Sequence, residues 1–396
     1  MIELKGKYNT AKVFTDNVEQ EAISQIITLL SQEFAKDSII RNMPDTHAGA
    51  GCTIGTTMTI HGKVVPYMVG VDIGCGMETV ILRDKHVELQ KLDRAIREKI
   101  PAGFNVRKSA HEMAATTRIR ELRCIKHVNL ERAYNSIGTL GGGNHFIELG
   151  RDEDELLYLV IHSGSRYLGK QVADYYQNAA VQQRKLDTRA AQELIDNLKA
   201  QGKEKEIQKR LKKLPISDVT KSLAWLDGPL LEDYLHDMAI TQEYADINRK
   251  CMASEILKAA GLKAEDSFAT IHNYIDLEHG ILRKGAISAR EGERVLIPIN
   301  MRDGSLLCTG KGNPDWNWSA PHGAGRIMSR RQAKETITLT EYKEAMKGVY
   351  SSTVDASTLD EAPFAYKPME EIVANIGDTA TVDKVIRPLY NFKAAE

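Results

Sequence analysis

Residues 71–77 read VDIGCGM, a carboxylate (Asp72) and a thiol (Cys75) three positions apart, with glycines at 70, 74 and 76. Glycine opens backbone conformations closed to other residues, so such a run can turn both side chains into one cavity. Four histidines stand in comparable settings: His145 in GGNHF, His162 in VIHSGSR, His272 in TIHNYID and His322 in APHGAGR. Each lies at the edge of an apolar strand or in a glycine turn. Any one of them is equally well explained as a hydrogen-bonded core histidine. As a set they have a chemical use. A thiolate can bridge two ions, imidazoles are neutral nitrogen ligands and a carboxylate adds charge and hard oxygen. Asp72, Cys75, His145, His162 and His272 would therefore complete the ligand set of a pair of divalent cations. Their spacing is not a local metal signature, and the residues alone leave the core reading open.

His322 opens HGAGRIMSR, a tight small-residue loop followed by Arg326 and Arg330. Two arginines four apart are expected on one helix face, where their guanidinium forks would fit phosphate oxygens; the plain alternative is an exposed surface helix. Arg166, four residues after His162, is a third candidate for phosphate. An imidazole beside metals and arginines can attack a nucleotide α-phosphate, since its neutral nitrogen needs no prior deprotonation.

The elements that must position these groups read as α+β. VEQEAISQIITLLSQEF is an amphipathic helix, and GCTIGTTMTI, KVVPYMVGVDI and ELLYLVIHSGSR are strands. Residues 87–135 read as mostly helical, DSFATIHNYID as one strand, and 280–312 as β-rich. Residues at about 170–260 are rich in Ala, Leu, Lys, Glu and Gln with apolar positions every three to four residues, the pattern of a helical insertion beside the sheet. Its basic run KEKEIQKRLKK reads as a solvated helix face. No internal repeat or low-complexity linker divides the chain, so one domain over 1–396 is expected.

The bulk numbers restrict the function class. Charged residues are 27%, hydrophobic ones 42%, and the net charge is −1, so nucleic acid would have to be met by a local patch. The N-terminus has no basic stretch leading into an apolar one, and no apolar run approaches 18 residues, which predicts a cytoplasmic protein with no membrane span. The five cysteines are scattered and never form CxxC, against a disulfide framework or a zinc ribbon.

The ordered motifs MPDTHAGAGCTIG, VGVDIGCGM, GTLGGGNHFIEL, IHSGSR, HNY, GKGNP, HGAGRIMSR and APFAYKPMEEIV span nearly the whole chain and resemble the RtcB-type RNA ligases, which join RNA ends using GTP. The resemblance implies an RtcB-like fold, with central β-sheets surrounding a metal-containing active-site cleft. It implies that Asp72, Cys75, His145, His162 and His272 hold two Mn2+ ions. His322 would become covalently guanylylated and Asp45 would orient it. Asn144, Glu148, Asn300, Ser305, Tyr366 and Lys393 would bind GTP, and Arg166, Arg326 and Arg330 would bind RNA phosphates. The implied substrates are RNA 3′-phosphate or 2′,3′-cyclic phosphate ends and 5′-hydroxyl ends, in RNA repair or tRNA splicing, with an archease-like activator as a further partner. The chain departs from the family at Ile299, Asn300 and Met301, at GGGN and at DTHAGAG, as a divergent paralogue would. The rival enzyme class is a dinuclear metal phosphoesterase acting on RNA ends without guanylylation. A dinucleotide-binding oxidoreductase is disfavoured because GTLGGGN is not GxGxxG.

Overall fold

The structure, a computed structural model, describes residues 1–186, 188–211, 213–214 and 221–394. It is a mixed α+β architecture. With strands numbered in chain order, a six-stranded sheet runs β1 (Ile2–Lys5), β2 (Thr10–Val13), β3 (Ile40–His47), β4 (Ile54–Thr59), β10 (Ile281–Lys284), β9 (Asn273–Asp276). A seven-stranded, wholly antiparallel sheet runs β12 (Arg294–Asn300), β13 (Gly304–Gly310), β15 (Ala380–Lys393), β6 (Phe146–Arg151), β7 (Leu157–Ser163), β5 (Gly76–Leu82), β8 (Ala264–Ile271). A two-stranded ribbon, β11 (Ala286–Ser288) with β14 (Ser319–Pro321), completes the strands among the described residues.

Strand β7 explains how the large sheet is held. Its sequence LYLVIHS is buried throughout. Alternate residues Leu157, Leu159 and Ile161 pack with Leu92 and Ile96 of the helix Leu89–Lys99 and with Met252 and Ile256 of the helix Gly228–Ala260. Tyr158 and Val160 face the other way, against Met77, Phe146, Leu296 and Ile386. Each such aliphatic side chain, once buried, contributes about 1.5–3 kcal/mol, and the period of two puts His162 at the end of the second face.

Three expectations are corrected. The apolar run in KVVPYMVGVDI is mostly buried, with Val71 exposed, but is not a strand: Val64 makes only an isolated bridge to Leu226, Pro66, which has no N–H to give a ladder, opens the 3-10 turn Pro66–Met68, and the ladder of β5 starts at Gly76. Residues 87–135 are helical only over Leu89–Lys99 and Leu130–Ser136, joined by irregular chain and short 3-10 turns in which Pro101 and Gly103 break the pattern. DSFATIHNYID is two strands: β8 belongs to the large sheet, β9 to the small one, and the chain changes sheets at His272. Of the basic run, Glu204–Glu206 and Ile207–Leu211 form an exposed 3-10 turn and a short helix whose Leu211 is buried; Lys212 lies outside the described residues. Among the described residues no helix is long and apolar enough to cross a membrane.

Candidate active site

Antiparallel order brings four strand ends to one edge of the large sheet. Cys75 precedes β5, His145 precedes β6, His162 is the penultimate residue of β7 and His272 follows β8. Registry fixes their level: Met77 and Phe146 both lie opposite His162, and Gly76 lies opposite Ser163 and Ile271. The His272 N–H donates to the Cys75 carbonyl at 2.9 Å. Two glycines make the approach possible. Gly74 turns with φ +72°, and at Gly76 a Cβ would stand 2.2 Å from the Thr270 carbonyl oxygen of β8.

The donor atoms converge on the thiol. Cys75 Sγ lies 3.4 Å from His145 Nε2 and 3.3 Å from His162 Nε2, His162 Nε2 lies 3.3 Å from His272 Nε2, and Asp72 Oδ2 lies 3.0 Å from His145 Nε2. Two triads result, Asp72–Cys75–His145 and Cys75–His162–His272, sharing Cys75 and each with its ligand atoms within 4.8 Å of one another. The second nitrogens of two imidazoles are fixed. His145 Nδ1 faces the Leu140 carbonyl at 2.8 Å and His162 Nδ1 faces the Asn144 carbonyl at 3.1 Å. A carbonyl only accepts, so each Nδ1 carries the hydrogen and, in the neutral ring, Nε2 presents its lone pair to the cluster.

Electrostatics agree with a cation between these groups. Burial, reinforced by the neighbouring imidazoles, drives His162 and His272 well below the ordinary histidine value, so both are neutral imidazoles, the form in which histidine can bind a metal. Burial pushes the Asp72 carboxyl up, but the hydrogen bond and charge of His145 and the charge of Arg166 outweigh it and hold it at about 2. Burial and the Asp72 charge push the Cys75 thiol well up, so the bare pocket keeps it protonated; a divalent cation reverses that balance and takes the thiolate. A lone pair on His145 aimed at a carboxylate also needs a proton or a cation between them. The donor set fits a dinuclear centre bridged by Cys75.

The shell around these ligands comes from Asn248 and Arg249, both fully buried on the helix Gly228–Ala260. Asn248 accepts from the Gly138 and Thr139 amides and donates to the Thr139 and Gly164 carbonyls. Arg249 donates to the carbonyls of Gly74 (2.6 Å) and Ser163 (3.0 Å). Two adjacent residues thus tie together the segments carrying Cys75, His145 and His162.

His322 follows β14, and its ring centroid is 4.9 Å from that of His272. Asp45, on β3 where the register with β4 shifts, is fully buried; its Oδ2 lies 2.7 Å from His322 Nδ1 and accepts from the His322 and Gly323 amides. Beside them opens a cavity of about 300 Å³. Met77, Phe146 and Pro298 give it apolar wall; Asn144, Glu148, Asn300, Tyr366, Asn391 and Lys393 line it with polar groups. Burial lifts Glu148 to about 8 against the Asn391 hydrogen bond and the Lys393 charge. Glu148 Oε1 and Asn391 Oδ1 are buried without a partner, polar atoms that a ligand would satisfy.

Other predicted residues are placed less simply. Ser305 does not line the cavity; it is fully buried behind Gly304, its hydroxyl unpartnered. The Asn300 side chain is engaged by its own turn, accepting from the Arg302 and Asp303 amides and donating to Asp303. Arg166 begins the helix Arg166–Leu186 with φ +58° and donates to Thr139 Oγ1 and the Gly103 carbonyl. Arg326 and Arg330 do not share a helix face. The helix starts only at Arg330, capped by Ser329, while Arg326 bridges to Tyr366 in extended chain. They meet instead on Glu361, which Arg330 reaches at 2.8 Å and Arg326 at 3.3 Å, and which also binds Tyr366 Oη (2.6 Å) and Lys393 Nζ. Glu361 was missed in the sequence; it sits immediately before the quoted APFAYKPMEEIV, and an acid there had no visible partner. His47, two residues past Asp45, also lines the cavity and was missed.

Comparison with known proteins now decides the relationship. The sequence model of the family described as "tRNA-splicing ligase RtcB" matches residues 25–125 and 112–394. The chain belongs to the RtcB family. It is 30% identical to the RNA-splicing ligase RtcB of Escherichia coli (strain K12), over 95% of either chain. It is 26% identical to the tRNA-splicing ligase RtcB of Aeropyrum pernix, over 95% of this chain and 92% of that one. To the RNA-splicing ligase RtcB2 of a second Escherichia coli strain (ATCC 25922) it is 26% identical, over 90% and 87%. The RtcB relationship makes this chain an RNA ligase by family, with the Cys75-centred cluster as its candidate metal site.

Proposed function

We propose that this protein is a GTP-dependent, Mn2+-dependent RNA ligase that joins RNA 3′-phosphate ends to 5′-hydroxyl ends through a guanylylated His322. One observation carries the reading: a buried carboxylate, Asp45, accepts the Nδ1 hydrogen of His322, which leaves the Nε2 lone pair free beside both the metal-ligand cluster and a nucleotide-sized cavity.

Asp45 selects the reactive tautomer and balances the charge that develops on His322 as it forms a bond. His322 Nε2 attacks the α-phosphorus of GTP and pyrophosphate departs, leaving a His–GMP phosphoramidate. An oxygen of the RNA 3′-phosphate then attacks that phosphorus, the imidazole leaves, and the RNA ends in a 3′-to-5′ diphosphate linkage to guanosine. The oxygen of a 5′-hydroxyl finally attacks the RNA phosphorus, losing its proton, and GMP departs with the cleaved linkage. A 2′,3′-cyclic end is first opened by water, with the 2′ oxygen as leaving group. Two Mn2+ ions, held by Asp72, Cys75 and His145 and by Cys75, His162 and His272, would supply Lewis acidity toward the phosphoryl oxygens. Arg166, Arg326 and Arg330 are assigned to RNA phosphates, Arg326 and Arg330 by exchanging Glu361 for the incoming anion. Glu148, Asn144, Tyr366 and Lys393 are assigned to the guanosine and Asn300 to the cavity wall, with Ser305 buried behind it. RNA repair or tRNA splicing in the cytoplasm, with an archease-like activator, is the setting that goes with this chemistry.

The test is sequential. Protein incubated with labelled GTP and Mn2+, freed of nucleotide and then given RNA with 3′-phosphate and 5′-hydroxyl ends should pass its label to the RNA and yield joined product. Dephosphorylation of the RNA with no label on protein or RNA would instead support the dinuclear phosphoesterase.

A further inference from the structure

Outside the residues assigned above, one group on the rim of the metal cluster is unexplained. Arg132 Nη2 donates to the Phe104 carbonyl at 3.2 Å, and Arg166 Nη2 donates to the neighbouring Gly103 carbonyl at 3.1 Å. Two guanidinium groups are thereby held side by side on one loop, and among the described residues neither has a carboxylate hydrogen-bond partner. That loop is anchored to the metal-ligand segment, since the Gly103 N–H donates to the Gly141 carbonyl at 2.8 Å, four residues before His145. The Arg132 guanidinium also lies over the Tyr167 ring, 5.5 Å from its centre. Tyr167 is 47% exposed and Phe104 80% exposed, and residues 99–132, which include Phe104 and Arg132, hold eight Lys or Arg against three Asp or Glu in a chain of net charge −1.

Single exposed aromatics are ordinary on a protein surface. Two of them near a pair of guanidiniums that hydrogen-bond no carboxylate, beside a candidate metal centre, match what single-stranded nucleic acid needs: cations for the backbone and ring faces on which bases stack. We propose that Phe104, Arg132 and Tyr167 form a docking platform for the RNA strand that bears the 3′-phosphate, Arg132 taking a phosphodiester and the two rings stacking its last bases. The proposal rests on RNA being the substrate and extends that reading from the reacting phosphate to the nucleotides behind it. Both aromatic side chains are exposed and neither lines the nucleotide cavity, so removing them leaves the GTP chemistry in place.

The experiment uses the full-length, Mn2+-loaded protein and its Phe104→Ala/Tyr167→Ala double variant, whose unchanged thermal unfolding is checked first. Binding of a short single-stranded oligoribonucleotide ending in a 3′-phosphate is followed by fluorescence anisotropy, with a second oligonucleotide made abasic at its last two positions. Labelling by GTP is measured in parallel. The platform predicts that the double variant binds the intact RNA roughly 10- to 100-fold more weakly, the range expected for lost base stacking. It further predicts that the abasic RNA binds both proteins about equally and that GTP labelling is unchanged. Phe104→Trp should restore binding. Equal affinity of variant and wild type for the intact RNA would overturn the platform, as would a loss confined to an oligonucleotide with a 5′-hydroxyl and no 3′-phosphate. Absence of the GTP label in the wild type, with RNA binding still lost in the variant, would strike the ligase reading and leave the platform standing.

Discussion

Asp45 and His322 are 277 residues apart in the chain, yet the carboxylate of one meets the Nδ1 of the other at 2.7 Å. Asp45 comes from the small sheet and His322 from the end of the two-stranded ribbon, so the pair spans two sheets. Asp45 Oδ2 also receives two backbone amides of the His322 loop, which fixes loop and ring together.

Asp45→Asn preserves the shape but replaces an acceptor by an amide that can donate to Nδ1, favouring the tautomer that carries its hydrogen on Nε2. The expected result is a fall in the rate of GTP-dependent protein labelling on the order of 10²–10⁴-fold, by the same logic as tautomer control in other catalytic histidine–carboxylate pairs. Thermal unfolding should move little. Rapid-quench labelling reads the rate, and a variant labelled at the wild-type rate would remove Asp45 from the orienting role.

Cys75 is the ligand atom common to both triads. Cys75→Ala should therefore lower bound Mn2+ by at least one ion per chain, measured by elemental analysis after equilibration, whereas His272→Ala should spare the Asp72–His145 side. In an anomalous-scattering map of Mn2+-soaked crystals, wild-type protein should show two peaks flanking the Cys75 sulfur. Full metal content in Cys75→Ala would show that the thiol is not a ligand.

Glu148, lifted by burial to about 8, is protonated at neutral pH in the free cavity. A carboxylate accepts the two edge N–H groups of guanine, and binding in that form releases the proton. The sign follows: GTP affinity should rise with pH, by up to about tenfold per pH unit below 8, and level off above it. Glu148→Gln should bind more weakly and lose this slope. Calorimetry across pH 6–9 measures both, and a flat wild-type profile would show that Glu148 does not take the base as a carboxylate.

Glu361 balances Lys393, Arg326 and Arg330. Burial alone would raise its carboxyl, but Lys393 and Arg330 overcome this and hold it at about 2. A depressed carboxylate adds stability that is fully present above its unfolded value and lost as pH falls toward 2, so the wild type should lose this contribution in the acid range and Glu361→Gln should lack it. At neutral pH the Gln variant strands buried cations and should unfold several degrees lower. Thermal scans at pH 3–7 decide the matter; parallel curves for the two proteins would contradict the pairing.

Asn248→Ala removes the partner of the Gly138 and Thr139 amides and a donor to the Thr139 and Gly164 carbonyls in the core. The cost should be roughly 2–4 kcal/mol in denaturant unfolding, with weaker Mn2+ retention because the His145 and His162 segments lose their common tie. A midpoint shift below about 0.5 kcal/mol would show that these segments hold themselves.

How much of this could be read from the sequence depended on whether a residue's partner was local. The end of β7 was legible because an apolar run stops at a residue with ligand chemistry, His162. His272 was legible as a residue but not as a corner: β8 and β9 are both β-like on either side of it, and only tertiary pairing assigns them to different sheets. The run before Asp72 misled because Val64, Val65, Met68 and Val69 are apolar for the sake of the core between the small sheet and the helices, not of a ladder. Arg326 and Arg330 suggested a helix face by their spacing, but Ser329 caps the helix between them. Asn248 and Arg249 stayed invisible because the carbonyls and amides they tie are more than eighty residues away, and Glu361 because its three cations are more than thirty away, Tyr366 being its one near partner.

The most direct measurement is where the guanylyl group sits. Protein incubated with GTP and Mn2+ should be digested and its peptides sequenced by mass spectrometry under conditions that preserve phosphoramidates. Modification of His322, absent in His322→Ala and absent when Mn2+ is withheld, is the predicted result. A guanylyl group on any other side chain, or one that persists in His322→Ala, would contradict the account.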